Sequence, residues 1–175
     1  RVSINFSRNN LADKNFVSKV INTIDEYKIP HDVITVELTE SALESDFDEF
    51  KRVVETLRDA GVTVSVDDFG MGYASLSLIR NIQWDVIKID KSFVPNPNNA
   101  DDDKSMKMLN SVIQMANDIG SLSLVEGVES KEQRDMVSSF GCKVIQGYYY
   151  DKPLPKHELE AKMLGTYDGE CKWHV

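Results

Sequence analysis

The chain has 175 residues, 41% hydrophobic and 28% charged, an ordinary globular composition at the length of one domain. A formal net charge of −9 argues against DNA, RNA or an anionic membrane surface as the main partner, and leaves room for an anionic small ligand if cations mediate it. No apolar run approaches the roughly 20 residues of a membrane span. Cys142 and Cys171 have neither metal-site nor redox spacing, so a cytoplasmic, reducing compartment is expected.

The chain opens at Arg1, without a Met, directly into the strand-like VSINF (2–6), and reads as a piece of a longer protein. Further strand patterns are VITVELT (33–39), VTVSVDD (62–68), DVIKID (85–90), SLVEGV (123–128) and KVIQGY (143–148). Helical patterns fall between them at about 14–28, 46–60, 74–82, 104–119 and 130–140, with a last short one at 155–164. Asp46 is placed as an N-cap, with Glu49 at capping-box spacing. Gly61, Gly120 and Gly141 each follow a helix, where a residue with positive φ is wanted. The segment 97–103, PNNADDD, reads as a solvated loop, and 165–175 as a tail.

Six strands alternating with helices imply βαβ units and parallel pairing. Val2, Ile4 and Phe6 share one face of the first strand, and Ser3, Asn5 and Ser7 the other. Ile34, Val36 and Leu38 oppose Thr35, Glu37 and Thr39; Val62, Val64 and Val66 oppose Thr63, Ser65 and Asp67. An open doubly wound sheet is apolar on both faces. One apolar face instead suits a barrel with helices outside and an unusually polar lumen. The fifth strand fits less well, because Glu126 shares its parity with Leu122 and Leu124. A (β/α)8 barrel typically takes about 250 residues. The expected fold is therefore α/β, an incomplete TIM-like (β/α)8 barrel with about six of eight strand–helix units, the other two lying upstream. The barrel portion is expected over 1–164.

Asn5, Glu37, Asp67 with Asp68, Lys88, Glu126 and Gln146 lie one position per strand, toward each C-terminal end. A barrel builds its active site there. Four carboxylates and a carboxamide at one mouth suit Mg²⁺ or Mn²⁺. Asp67 and Asp68 could bridge and flank two ions, which offsets the cost of desolvating adjacent negative charges. Two such ions suit phosphodiester hydrolysis, and Lys88 could orient the attacking water or balance charge. Singly, each residue has a plainer role. An Asp-Asp pair can cap a helix, Glu40 can complement a helix N-terminus, and Lys88 can be a structural partner of Asp67 or Asp90. His31, His157 and His174 are given no role.

The segments SINFS, ELTES, DDFGMGYASL, IKIDKSFV, VEGVES and QGYYYDKPLP, in this order and spacing, resemble the EAL domain, a family of cyclic di-GMP phosphodiesterases. The resemblance covers residues 2 to about 163. It implies a TIM-like barrel that cleaves cyclic di-GMP to linear pGpG with two Mg²⁺ or Mn²⁺ ions. Asn5, Glu37 and Asp67 match ligands of the first metal. Asp67 would bridge, and Asp68 matches a ligand of the second. Glu126 matches a metal ligand or general base, Lys88 the residue that positions the water, and Gln146 a polar residue of the catalytic centre. Glu40 matches a glutamate that holds the loop after DDFG, here Phe69, Gly70, Met71 and Gly72 onward. In the family that loop couples the dimer interface to the metal site. Glu129 matches the second glutamate of EGVE, which supports the site or contacts ligand.

Two departures stand out. The E-A-L motif, whose glutamate is a metal ligand, is not in this sequence and is expected upstream, with the arginine that contacts a substrate phosphate. Met71 stands where the family usually has Thr. The expected function is thus metal-dependent hydrolysis of cyclic di-GMP in the parent protein, with this chain inactive alone. Self-association through the loop after DDFG or the open barrel edge is also expected. The alternatives are a receptor that binds cyclic di-GMP without cleaving it, and a dimerising regulatory module. The parent could carry a sensor, a GGDEF-type domain or a membrane anchor.

Overall fold

The structure, a computed structural model, describes residues 1–39, 47–71, 75–96 and 102–167. Six strands run parallel in chain order: β1 (Val2–Phe6), β2 (Ile34–Thr39), β3 (Thr63–Phe69), β4 (Val86–Ile89), β5 (Leu122–Val125) and β6 (Val144–Ile145). Helices α2 (Phe16–Glu26), α3 (Phe47–Asp59), α4 (Ser75–Asn81), α5 (Asp103–Asp118) and α6 (Lys131–Ser139) connect them, and α7 (Lys156–Met163) follows. This is the strand–helix alternation expected of part of a (β/α) barrel. The sequence pattern did not indicate α1 (Arg8–Leu11), a single turn closed when Asn10 Oδ1 accepts from Ser7 N and Oγ, both at 2.9 Å. Of the expected elements, Glu40, Asp46, Gly72, residues 97–101 of the acidic loop and residues 168–175 of the tail lie outside the described residues.

The outer face carries the core. Val36, Leu38, Val64, Val66, Ile87, Ile89 and Val125 are buried with Phe50, Val54 and Leu57 of α3, Leu109 and Ile113 of α5, and Val137 of α6. Each such side chain contributes about 1.5–3 kcal/mol on burial. The inner face is divided. Thr35, Glu37, Thr63, Ser65 and Lys88 are buried polar groups, as the polar-lumen reading requires. Val86, Leu122 and Leu124 are apolar on that same face, because the register sets Val86 opposite Leu122 and Lys88 opposite Leu124. Glu126, whose parity fitted poorly, therefore continues the row that faces Lys88.

The last two strands are shorter than their sequence patterns. Gly127 turns the chain with φ +68°, ending β5 before VEGV is complete. Beyond β6, Gly147 (φ +156°) lies against Val128: an added Cβ would sit 2.1 Å from the Val128 carbonyl oxygen. Backbone pairing still joins the two segments, with Gln146 N donating to Val125 O (2.9 Å) and Val128 N to Gln146 O (3.1 Å).

Strand β1 pairs with β2 alone among the described residues, and Val2 and Ile4 on its outer face are exposed. Beside it, Ile4, Phe6, Phe16, Val20, Ile24 and Ile34 line a groove of about 520 Å³.

A 3-10 turn, His31–Val33, leads into β2. His31 Nε2 faces Asp25 Oδ1 at 2.8 Å and Nδ1 faces Ala60 O at 2.5 Å. Both partners are acceptors, so only the imidazolium satisfies both ring nitrogens. The Asp25 bond, then the Ala60 carbonyl, raise the His31 pKa above its usual 6.5. A raised folded pKa means stability that is complete below the unfolded value and is lost as pH rises through the folded one. The gap in thermal midpoint between the native chain and His31→Gln should therefore narrow from about pH 6 to about pH 8. Melting curves across that range check it; a constant gap would mean that His31 charge contributes nothing.

Candidate active site

The ammonium of Lys88, in the middle of β4, is 5% exposed and gathers three carboxylates. Nζ donates to Glu126 Oε1 at 2.8 Å, Glu37 Oε2 at 2.9 Å and Asp67 Oδ1 at 2.9 Å. These come from the ends of β2 and β3 and from just past β5. Parallel pairing aligns the strand ends, so groups far apart in sequence meet at one point. Burial alone would lower the Lys88 pKa, but the bonds to Glu126, Asp67 and Glu37 outweigh it and hold the lysine well above its usual value. It stays charged. Burial raises the Glu126 pKa; the bond and charge from Lys88 oppose this, and the charges of Asp67 and Glu37 reinforce it, leaving it above the ordinary glutamate value.

Asn5 pairs with Glu37 in the β1–β2 register. One terminal atom of its amide lies 3.0 Å from Glu37 Oε2 and 3.3 Å from Asp67 Oδ2. As Nδ2 it donates to both carboxylates. As Oδ1 it would complete a set of three oxygens that only a cation could hold together. The set is all oxygen, which suits a hard divalent ion. Among the described residues, no three His, Cys, Asp or Glu side chains are grouped as a metal cage. Lys88 stands between the acids instead, and an ion here would share Glu37 and Asp67 with it.

Asp67 and Asp68 part company at an irregularity in the β3–β4 register between Val66 and Phe69. Asp67 faces the lysine. Asp68, exposed, takes a left-handed φ of +55°, uncommon away from glycine, and its N–H donates to Asp67 Oδ1 at 3.0 Å. Burial, then the charges of Asp67 and Asp90, raise the Asp68 pKa against the pull of Lys88. Asp90 is the residue that the sequence reading undervalued. It is not the partner of Lys88. Its Oδ1 accepts from Ser92 N at 2.8 Å and caps the 3-10 turn Lys91–Phe93, and its charge reaches Asp68. Its parity with Lys88, two residues earlier, was the available signal.

Two expected residues stay outside the cluster. Gln146 lies past β6 with an exposed side chain, and its backbone does the pairing. Glu129 is exposed, and its N–H donates to Gln133 Oε1 (2.9 Å) beside the Ser130–Gln133 capping box of α6. Phe69, the last residue of β3, is buried, while Gly70 and Met71 just beyond it are exposed; Ser92 Oγ donates to Met71 Sδ at 3.4 Å.

A parallel sheet with this acidic, lysine-centred cluster at its C-terminal end has the architecture of part of a (β/α) barrel. The EAL domain model matches residues 1–153. The chain belongs to the EAL domain family. It is 32% identical over 160 residues to the cyclic di-GMP phosphodiesterase NbdA of Pseudomonas aeruginosa, an alignment that covers 91% of this chain and 20% of that protein. The chain spans about a fifth of the length of the first curated relatives it matches. It superposes on the EAL domain of Mycobacterium smegmatis DcpA with TM-score 0.86 and 29% identity, over 95% of this chain and 74% of that one. A manganese and cyclic di-GMP complex of Klebsiella pneumoniae BlrP1 matches with TM-score 0.79 and 29% identity, over 87% of this chain and 39% of that one.

Removing Lys88 should leave three buried or half-buried carboxylates facing one another. Lys88→Met is expected to lose about 3–5 kcal/mol in urea unfolding at neutral pH, the usual cost of breaking a buried pair from one side. The loss should shrink at about pH 4–5, where carboxylates bind protons. An equal loss at both pH values would place the lysine's contribution in packing.

Proposed function

We propose that this chain carries the metal-dependent centre of a cyclic di-GMP phosphodiesterase, producing linear pGpG. The observation that carries the reading is the convergence of Glu37, Asp67 and Glu126 on Lys88, with Asn5 against two of them, in a chain of the EAL family. The manganese and cyclic di-GMP complex of BlrP1 supports the choice of ligand and of a divalent ion, for which Mn²⁺ or Mg²⁺ is proposed.

Asn5, Glu37, Asp67 and Asp68 would hold the ions, with Glu126 at the rim as ligand or base. A bound divalent cation would lower the pKa of a coordinated water and stabilise charge on a leaving oxygen. The protein does the rest. Lys88 keeps three acids within one hydrogen bond of a single point and lowers their mutual repulsion. All three of its N–H donors go to these acids here, so it would orient the attacking water on releasing one of them. Glu126, held by Lys88 and raised in pKa, is placed to accept a proton from it. Gln146, Glu129, Glu40 and the Phe69–Gly72 loop are proposed as supporting groups around this centre. The barrel unit is taken as 1–164 with 165–175 as a tail, in a cytoplasmic setting, and the loop after β3 as a contact between copies. Among the described residues no helix is long and apolar enough to cross a membrane.

Calorimetric titration with Mn²⁺ tests the centre. The native chain should bind, and Asp67→Asn should bind at least about tenfold more weakly, one lost charged ligand being worth more than 1.4 kcal/mol. Release of pGpG at saturating Mn²⁺ by a longer chain that includes an E-A-L segment tests the reaction, since this chain is expected to be inactive alone. Cyclic di-GMP bound without product by that longer chain would turn the reading to a receptor. Metal binding equal in the native and Asp67→Asn chains would overturn the site.

A further inference from the structure

Three neighbouring loops at the site touch through glycines. Gly127 (φ +68°) follows Glu126, and a Cβ there would fall 2.3 Å from Lys91 Cβ and 3.4 Å from Lys91 Cα. Gly70 (φ +99°) follows Phe69, and a Cβ there would fall 2.4 Å from both Cε2 and Cζ of Phe93. The 3-10 turn Lys91–Phe93 thus lies between the loop after β3 and the loop after β5, pressed against each where a side chain cannot fit. The turn is itself secured. Asp90 Oδ1 accepts from Ser92 N at 2.8 Å, Phe93 N donates to Asp90 O at 3.0 Å and Val94 N to Lys91 O at 2.9 Å. Ser92 Oγ reaches Met71 Sδ on one side, while Glu126 N donates to Ile89 O (3.1 Å) on the other. Behind the turn, Ser92, Phe93, Ser105 and Met108 line a cavity of about 230 Å³, so the turn has room to shift toward α5.

We propose that the turn Lys91–Phe93 is a positioning element: its contacts with Gly127 and Gly70 set Glu126 and the Gly70–Met71 segment relative to one another, so that displacement of either loop moves the other. The catalytic consequence rests on the phosphodiesterase reading; the mechanical coupling does not.

The test uses the 175-residue chain with ¹³C-methyl methionine, the Met71 signal being assigned through Met71→Leu. Gly127→Ala should shift the Met71 resonance. Lys91→Gly in the same chain removes the colliding Cβ and should return it. Gly120→Ala is the control: φ there is +82° and nothing lies within 4 Å of an added Cβ, so it carries the backbone strain without the collision. It should leave Met71 in place. If Gly127→Ala does not fold, Phe93→Leu and Ser92→Ala read the path in reverse, each expected to move the Gly127 amide resonance. In turnover, measured on a longer chain that includes an E-A-L segment, Gly127→Ala should lower kcat on the order of 10–100-fold with KM changed less than about threefold, and Lys91→Gly should restore it. A Met71 signal that ignores Gly127→Ala in a folded chain, or that Lys91→Gly does not return, overturns the proposal. So does an unmoved Gly127 amide in both reverse variants. A coupled Met71 signal without product from that longer chain leaves the coupling standing and removes the phosphodiesterase reading.

Discussion

One ammonium among three carboxylates governs this structure. Glu37, Asp67 and Glu126 cannot approach one another as anions in a buried setting unless positive charge stands between them. Lys88 supplies it at three distances of 2.8–2.9 Å. The deficit of positive charge remains, one cation against three acids, and Asp68 and Asp90 add to it nearby. The mouth of the sheet is therefore strongly attractive to further cations, and the protein stores that attraction in rigid strands. The apolar outer face, packed on α3, α5 and α6, is what keeps those strand ends from drifting apart under their own repulsion.

Much of this was written in side-chain alternation. Asn5, Glu37, Asp67 and Lys88 are legible because each sits on the polar face of a short strand, and parallel pairing brings such positions to one end. Glu126 was the harder case. Its row reads Leu122, Leu124, Glu126, apolar until the last position, and only the register of β5 against β4 reveals that the inner face changes character halfway round. Asp90 was weighed only as a structural partner of Lys88; it instead caps the turn Lys91–Phe93, and its charge also bears on Asp68. Gln146 was read from its place at the end of the sixth strand and Glu129 from likeness to the family motif; their exposed side chains stand apart from the Lys88 cluster.

The tertiary contacts of Gly70, Gly127 and Gly147 were not legible. A sequence shows that a glycine can turn. It does not show what lies 2–3 Å away on a neighbouring loop. The same holds for α1, whose four residues have no periodicity and depend on one side-chain cap from Asn10. Where structure follows from local alternation and capping, the sequence carries it; where it follows from two loops packed in space, it does not.

The order of the strands has a kinetic side. Because β1 to β6 pair strictly in chain order, every pairing closes only the loop of its own strand–helix unit. Loop-closure entropy grows slowly with length, and here no closure is much longer than another. Folding can begin at any adjacent pair and extend one unit at a time toward either end, with no long-range pairing to wait for. Native-state hydrogen exchange in such a sheet would rank amides by distance from the edges, with the β2–β4 interior opening last. Lys88 sits in that slowest-opening part.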